Sequence, residues 1–201
     1  MLPFAAVTAI VGWFSLILQL YVIISNAINN NNSIAGSIIK YFSYFTILTN
    51  ILAALSLTLS LVMQSSGLGK FFKSGSAKAA IAVYIIIVGI VYNLVLRQLW
   101  DPKGLQLIAD ILLHQLIPIA YTIYWVVFVP KSNLEWKQPF IWLIYPLLYL
   151  LYAIIRGAVT GHYSYPFIDV SQIGLSKMLL NTTIMMIAFI SIGLLVVGID
   201  K

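Results

Sequence analysis

The chain has 201 residues, of which 62% are hydrophobic and only 8% are charged, so it has too little polar surface to cover a water-soluble globule and we predict an integral membrane protein. The formal net charge of +6 comes without any block of consecutive basic residues, which argues against a nucleic-acid partner. Because the chain contains no cysteine, disulfide bridges, thiolate nucleophiles and Cys-based metal sites are excluded.

Six apolar stretches are each long enough to cross a bilayer as a helix, which requires about 20 residues. The sequence lacks the short alternating segments that are typical of membrane β-barrels. We therefore predict an all-α integral membrane protein, a six-transmembrane-helix bundle that forms a single domain over residues 1–201. The predicted spans are 3–25, 40–63, 79–98, 107–129, 138–160 and 174–198.

Two connecting segments have distinctive compositions. The first, NAINNNNSIAG at residues 26–36, is rich in asparagine and favours turns over helix. The second, QSSGLGKFFKSGSAK at residues 64–78, contains Lys70, Lys73 and Lys78 and no acidic residue. Under the positive-inside rule we expect this second segment in the cytoplasm, which places both termini on the cytoplasmic side.

Strongly polar residues cluster at one end of each predicted span. They occur late in the odd-numbered spans and early in the even-numbered ones, at Gln19, Asn50, Asn93, Arg97, Asp110, His114, Gln115, Arg156 and Asn181. Because neighbouring spans run antiparallel, all these positions fall on the same side of the membrane. We therefore predict a one-sided polar cavity, with His162 and Tyr165 of the loop after the fifth span at its mouth.

The span at 107–129 carries Asp110 and His114, four residues apart on one helical face. An ionisable side chain within a membrane helix is costly unless it faces protein or trapped water, so it indicates a functional site. Thr46 in the second span and His114 lie at similar predicted depths, roughly 10 Å below one interface at ~1.5 Å per residue. A hydroxyl group needs a neighbouring base, usually His, to act as a nucleophile at neutral pH. Thr46 is therefore a candidate nucleophile and His114 its candidate base.

Other polar residues are candidates to orient this pair or to bind substrate. Asp110 is placed to orient the His114 imidazole. Arg97 and Arg156 suit a carboxylate or phosphate, on the protein or on a lipid, because guanidinium binds both groups in a bidentate manner. Three asparagines are candidate donors to a developing oxyanion, namely Asn50, Asn93 and Asn181.

Structural alternatives exist for the central residues. Threonine and serine in membrane helices commonly bond to their own backbone or to a neighbouring helix, and Ser43 and Thr49 compete with Thr46 for the proposed role. His114 could equally be a hydrogen-bonded packing residue. A mixed His and Asp metal site is conceivable, but zinc hydrolases commonly use three His or carboxylate ligands and the chain has two histidines. We expect neither a metal ion nor another cofactor.

Three segments resemble a known family: YFTILTN at 44–50, LLHQLIP at 112–118 and VTGHYSYPFID at 159–169. Together they resemble the androgen-induced and androgen-dependent membrane protein family, most closely its bacterial six-helix branch. The resemblance implies an intramembrane threonine hydrolase, because animal members cleave fatty-acid esters of hydroxy fatty acids with one Thr in the second span and one His in the fourth. These residues correspond to Thr46 and His114. The resemblance also implies a bacterial inner (plasma) membrane protein.

The expected function is therefore intramembrane hydrolysis of a membrane lipid or another fatty-acyl ester, and the residues indicate no particular protein partner. Two other functions stay open. The polar cluster could serve a small-solute or proton-coupled transporter, or the chain could be a non-catalytic lipid-binding membrane protein. Transporters often place their sites near the midplane and contain internal repeats, whereas polarity here stays in one leaflet and no repeat is evident.

Overall fold

The computed structural model describes residues 2–63, 65–131 and 134–201. Within these residues helix is the only regular secondary structure, which confirms the predicted all-α fold. Six helices are long and apolar enough to cross a membrane, so the chain is an integral multi-pass membrane protein. They are α1 (Leu2–Asn29), α3 (Phe45–Val62), α5 (Gly75–Leu99), α6 (Leu105–Phe128), α7 (Gln138–Thr160) and α9 (Leu175–Asp200). Among the described residues, three short α-helices connect them, namely α2 (Ile34–Tyr41), α4 (Gly67–Lys73) and α8 (Val170–Ile173), and a 3₁₀ helix at Pro166–Ile168 precedes α8.

The second predicted span begins later than its hydrophobicity indicated. Residues 42–44 form a turn between α2 and α3, closed by backbone bonds from Phe42 N to Ile38 O (3.1 Å) and from Ser43 N to Lys40 O (3.0 Å). The depth predicted for Thr46 assumed a helix that begins at residue 40, and that start is wrong. Thr46 is instead the second residue of α3.

The asparagine-rich loop is shorter than its composition predicted. Helix α1 continues to Asn29, and α2 begins at Ile34 with the Ser33 side chain accepting a bond from Gly36 N. The turn between the two helices uses Asn31 at φ 52°, a left-handed conformation that asparagine tolerates better than most residues. Asparagine therefore terminates α1 here without preventing helix on either side.

Contacts divide the described chain into two compact units, one containing α1–α6 and the other α7–α9. In the first unit, α1 packs on α3 through small residues, since a Cβ on Gly12 would lie 3.4 Å from Ala54 Cβ. In the second, α7 and α9 approach so closely that a Cβ on Gly193 would lie 2.7 Å from Pro139 Cβ. Small residues at such contacts are typical of membrane helix packing.

The lysine-rich linker, apart from Gln64, which lies outside the described residues, forms α4 and the start of α5. Gly69 of α4 lies so close to the end of α3 that a Cβ added to it would be only 1.8 Å from Met63 O. The Ser60 hydroxyl donates to Phe72 O at 3.2 Å, and the Phe72 side chain is buried. This linker is therefore an ordered part of the first unit.

Candidate functional site

Helix α6 changes its hydrogen-bond pattern where it carries His114. After a regular segment over Leu105–Ile111, residues Leu112–Leu116 form a π-helical turn in which Ile117 N bonds to Leu112 O. Pro118 follows and has no backbone N–H to donate. Within the helix, the carbonyl of Leu113 would accept from the backbone N–H of Ile117 or of residue 118. Ile117 N bonds to Leu112 O and Pro118 has no N–H, so this carbonyl has no donor in its own helix. Turns of this kind occur frequently at functional sites.

Asn50 of α3 supplies the missing donor. Its Nδ2 atom donates to Leu113 O at 3.2 Å and to Thr46 O at 2.8 Å, and the residue is 0% exposed. Both amide hydrogens are thereby used within the protein, so this geometry favours a positioning role for Asn50 over donation to an oxyanion. Its Oδ1 atom is buried and accepts no hydrogen bond from the described residues.

The imidazole of His114 is held by Asp110. Its Nδ1 atom lies 3.0 Å from the backbone O of Asp110 and 3.2 Å from the carboxylate Oδ1. The backbone oxygen is the better-aligned acceptor, because Oδ1 does not meet hydrogen-bond geometry and acts chiefly as a nearby charge. Since both neighbours of Nδ1 are acceptors, we assign the proton to Nδ1, which leaves the lone pair on Nε2.

Tyr92 of α5 joins the same group and was missed by the sequence analysis. Its hydroxyl donates to Asp110 Oδ2, and its ring stacks on the His114 imidazole with centroids 3.8 Å apart and planes inclined by 14°. Tyr92 begins a π-helical turn of its own. The sequence signal for Tyr92 is its position beside Asn93, at the polar end of the span. We refer to Asn50, Tyr92, Asp110 and His114 as the Asp110 cluster.

Replacing Tyr92 by Phe is expected to lower the free energy of unfolding by about 1–3 kcal/mol, because the buried Asp110 carboxylate loses a donor while the ring stack is kept. Chemical unfolding of the purified protein in detergent micelles measures the change. The matched control is Tyr21→Phe, at a residue of α1 that is 60% exposed, where a change within about 0.5 kcal/mol is expected. Equal stabilities of the two variants would show that the Tyr92 hydroxyl contributes nothing.

Thr46 is linked to the Asp110 cluster through its backbone. The residue is 7% exposed, and its carbonyl accepts from the same Asn50 amide that bonds to Leu113, the residue before His114. Thr46 and His114 are therefore on neighbouring backbone segments, although they stand at different positions along their helices. A hydrogen bond between the Thr46 hydroxyl and the His114 ring stays a prediction.

Gln19, Asn93 and Arg97, the other predicted polar residues of the first unit that are not in the Asp110 cluster, make different contacts. Gln19, late in α1, meets Gln106, early in α6, with Gln106 Nε2 donating to Gln19 Oε1 at 2.9 Å and a longer return contact of 3.4 Å. Asn93 and Arg97 near the end of α5 are exposed, and Asn93 Nδ2 donates to Gly89 O of its own helix at 2.8 Å. A substrate-binding role for Asn93 and Arg97 stays a prediction.

The four remaining predicted site residues belong to the second unit. Arg156 Nη1 donates to the backbone O of His162 at 2.9 Å, across the end of α7, and His162 is exposed. Asn181 Nδ2 donates to Phe167 O at 2.9 Å, and the buried Tyr165 ring stacks on Phe167 with centroids 5.1 Å apart. These contacts order the segment between α7 and α9, and a role in substrate binding stays a prediction.

Over residues 2–63, 65–131 and 134–201, no three His, Asp or Glu side chains are grouped in a way that could hold a metal ion. Comparisons with protein-family models, curated proteins and solved structures found no match to this chain. The Asp110 cluster and Thr46 are therefore the features of this chain that bear on its function.

Proposed function

We propose that this protein is an intramembrane lipid ester hydrolase in which Thr46 is the nucleophile and His114 the general base. The observation that carries the proposal is the partly buried contact of His114 Nδ1 with Asp110, which leaves Nε2 as the basic nitrogen. In hydrolases that activate a hydroxyl nucleophile, an acceptor on Nδ1 likewise fixes the tautomer of the imidazole, although there the acceptor is a carboxylate and here it is the backbone O of Asp110. The resemblance of YFTILTN and LLHQLIP to the androgen-induced family supports the same pair.

In the proposed reaction, Thr46 Oγ1 attacks the ester carbonyl carbon while its proton passes to His114 Nε2. The bond from the carbonyl carbon to the alkoxy oxygen then breaks, and the alcohol leaves with the proton from His114. The acyl group is now esterified to Thr46. A water molecule gives one proton to Nε2 and attacks the acyl carbon, after which the fatty acid departs and the proton returns to Thr46.

The proposed substrate is a fatty-acyl ester of the membrane, in particular an ester of a hydroxy fatty acid. Both proposed catalytic residues lie in membrane-length helices, where a long acyl chain partitions and a water-soluble ester does not. The ester is the polar part of such a substrate in the membrane, and the Asp110 cluster would supply the polar side chains around it. The aromatic ring of Tyr92 covers one face of the imidazole and shields it from competing contacts.

The proposed location is the bacterial inner (plasma) membrane, with both termini in the cytoplasm. The basis for this orientation is Lys70, Lys73 and Lys78, which lie between α3 and α5 without an acidic residue among them. Lysine-rich short loops are retained on the cytoplasmic side during insertion. The Asp110 cluster is then nearer the opposite side of the membrane.

Labelling with a long-chain alkyl fluorophosphonate tests the proposed nucleophile directly. Such a probe forms a covalent phosphonyl ester with an activated hydroxyl and releases fluoride, so we expect one adduct on wild-type protein in detergent micelles. Mass spectrometry of the digested protein should place this adduct on Thr46, and heat-denatured protein is the control for non-specific reaction. An unlabelled native protein, or an adduct on another residue, would contradict the proposal.

A further inference from the structure

Lys78, in the first turn of α5, is a buried cation without a carboxylate neighbour among the described residues. It is 5% exposed, and its Nζ atom lies 5.6 Å from the centre of the Tyr124 ring in α6. The acidic residues of the first unit are Asp101 and Asp110, which lie beyond the far end of α5 and near the start of α6. Neither is at the end of the unit where Lys78 lies.

The surroundings of Lys78 favour an anion. A contact with an aromatic face offsets only part of the hydration that an ammonium group loses on burial. Lys70 and Lys73, in the last turn of α4, place two further positive charges in the segment that leads to Lys78. A buried cation in such a position is stabilised when an anion binds to it, and no ion pair involving Lys78 is found among the described residues.

The same end of the first unit has the features of a membrane interface. Helix α4 exposes Leu68 and Phe71, at 63% and 60%, beside the exposed Lys70. Lys131, which follows α6, is exposed, and its Nζ atom lies 4.2 Å from the centre of the buried Trp125 ring. Basic residues next to exposed apolar and aromatic side chains are typical of surfaces that contact anionic lipid headgroups.

We propose that this end of the first unit binds the phosphate of an anionic phospholipid, with Lys78 as the buried contact and Lys73 as a second cation. A lipid is favoured over free phosphate because Lys78 lies in the first turn of a membrane-length helix, at the level of the headgroups. Leu68 and Phe71 of α4 are placed to contact the acyl chains. The site is separate from the Asp110 cluster and does not depend on ester hydrolysis.

Thermal unfolding in neutral detergent tests the site, with phosphatidylglycerol, phosphatidylcholine or inorganic phosphate added separately. Phosphatidylglycerol should raise the midpoint temperature of the wild type by several degrees relative to phosphatidylcholine, and inorganic phosphate should not. The Lys78→Met variant should lose this increase. Lys70→Met is the matched control, because it removes an exposed lysine from the same segment, and it should keep most of the increase.

The behaviour of Lys78→Met without anionic lipid separates lost binding from a damaged fold. In phosphatidylcholine this variant should unfold at or above the wild-type temperature, because an unpaired buried charge has been removed. Equal stabilisation of Lys78→Met and wild type by phosphatidylglycerol would overturn the proposal, as would equal stabilisation of the wild type by inorganic phosphate. Native mass spectrometry of the wild type gives a test without mutation: preferential retention of phosphatidylglycerol supports the site, and equal retention of phosphatidylcholine contradicts it.

Discussion

Replacing Thr46 by Ala is expected to lower the hydrolysis of a long-chain fatty-acyl ester to a small residual rate, because the variant has no hydroxyl to form the acyl intermediate. Replacing Thr46 by Ser should retain measurable activity, since the hydroxyl is kept. The His114→Gln variant should be slower than wild type by about 10²–10⁴-fold, the usual contribution of a general base. Release of fatty acid from micellar substrate, measured at equal concentrations of folded protein, gives all three rates.

The double variant Thr46→Ala/His114→Gln distinguishes a joint catalytic role from two separate defects. Residues that act in one step have strongly non-additive effects, so the double variant should be no slower than Thr46→Ala alone. Thr122→Ala is the control, because the Thr122 hydroxyl bonds to Pro118 O of its own helix at 2.7 Å and has no proposed role. Wild-type rates in Thr46→Ala would exclude Thr46 as the nucleophile, whatever the effect of the His114 substitution.

The membrane helices were predictable because each contains a long apolar stretch and is flanked by residues that favour turns. The break between α2 and α3 was not, because KYFSY at residues 40–44 contains neither Gly nor Pro, the residues that most often mark the end of a helix. At this turn the Ser43 hydroxyl donates to Ile39 O at 2.6 Å. A local side-chain bond of this kind does not alter a hydropathy pattern.

The candidate site was predictable only where it depends on spacing within one helix. Asp110 and His114 stand four residues apart, so their contact follows from helix geometry. The bond from Asn50 to Leu113 O could not be predicted, because its acceptor is a backbone carbonyl that becomes available only through the π-helical turn and Pro118. The contacts of Tyr92 with Asp110 and His114 could not be predicted either, because they depend on which faces of α5 and α6 meet. The structure thus adds the residues that position His114, while the proposed chemistry still comes from Thr46 and His114.

Replacing Asn50 by Leu is expected to lower the free energy of unfolding by about 1–3 kcal/mol, because the carbonyl of Leu113 is left buried without a donor. Asn93→Leu is a closely matched control. Both asparagines donate to the carbonyl four residues earlier, each at 2.8 Å, but Asn93 is exposed and its bond stays within α5. The control should change stability by no more than about 0.5 kcal/mol. Similar losses in the two variants would show that the bond between α3 and α6 is unimportant.

Since Asn50 supplies the donor that Pro118 lacks, we expect the two residues to be energetically coupled. A double-mutant cycle measures this coupling. Pro118→Ala restores a backbone N–H that can donate to Leu113 O, so part of the need for Asn50 disappears. Asn50→Leu should therefore cost less in the Pro118→Ala protein than in the wild type, even though Pro118→Ala also loses packing against Gly89. Hydrogen exchange at residues 112–117 should rise in Asn50→Leu and fall again in the double variant. Additive losses of stability would mean that Asn50 does not act by supplying the donor that proline removes.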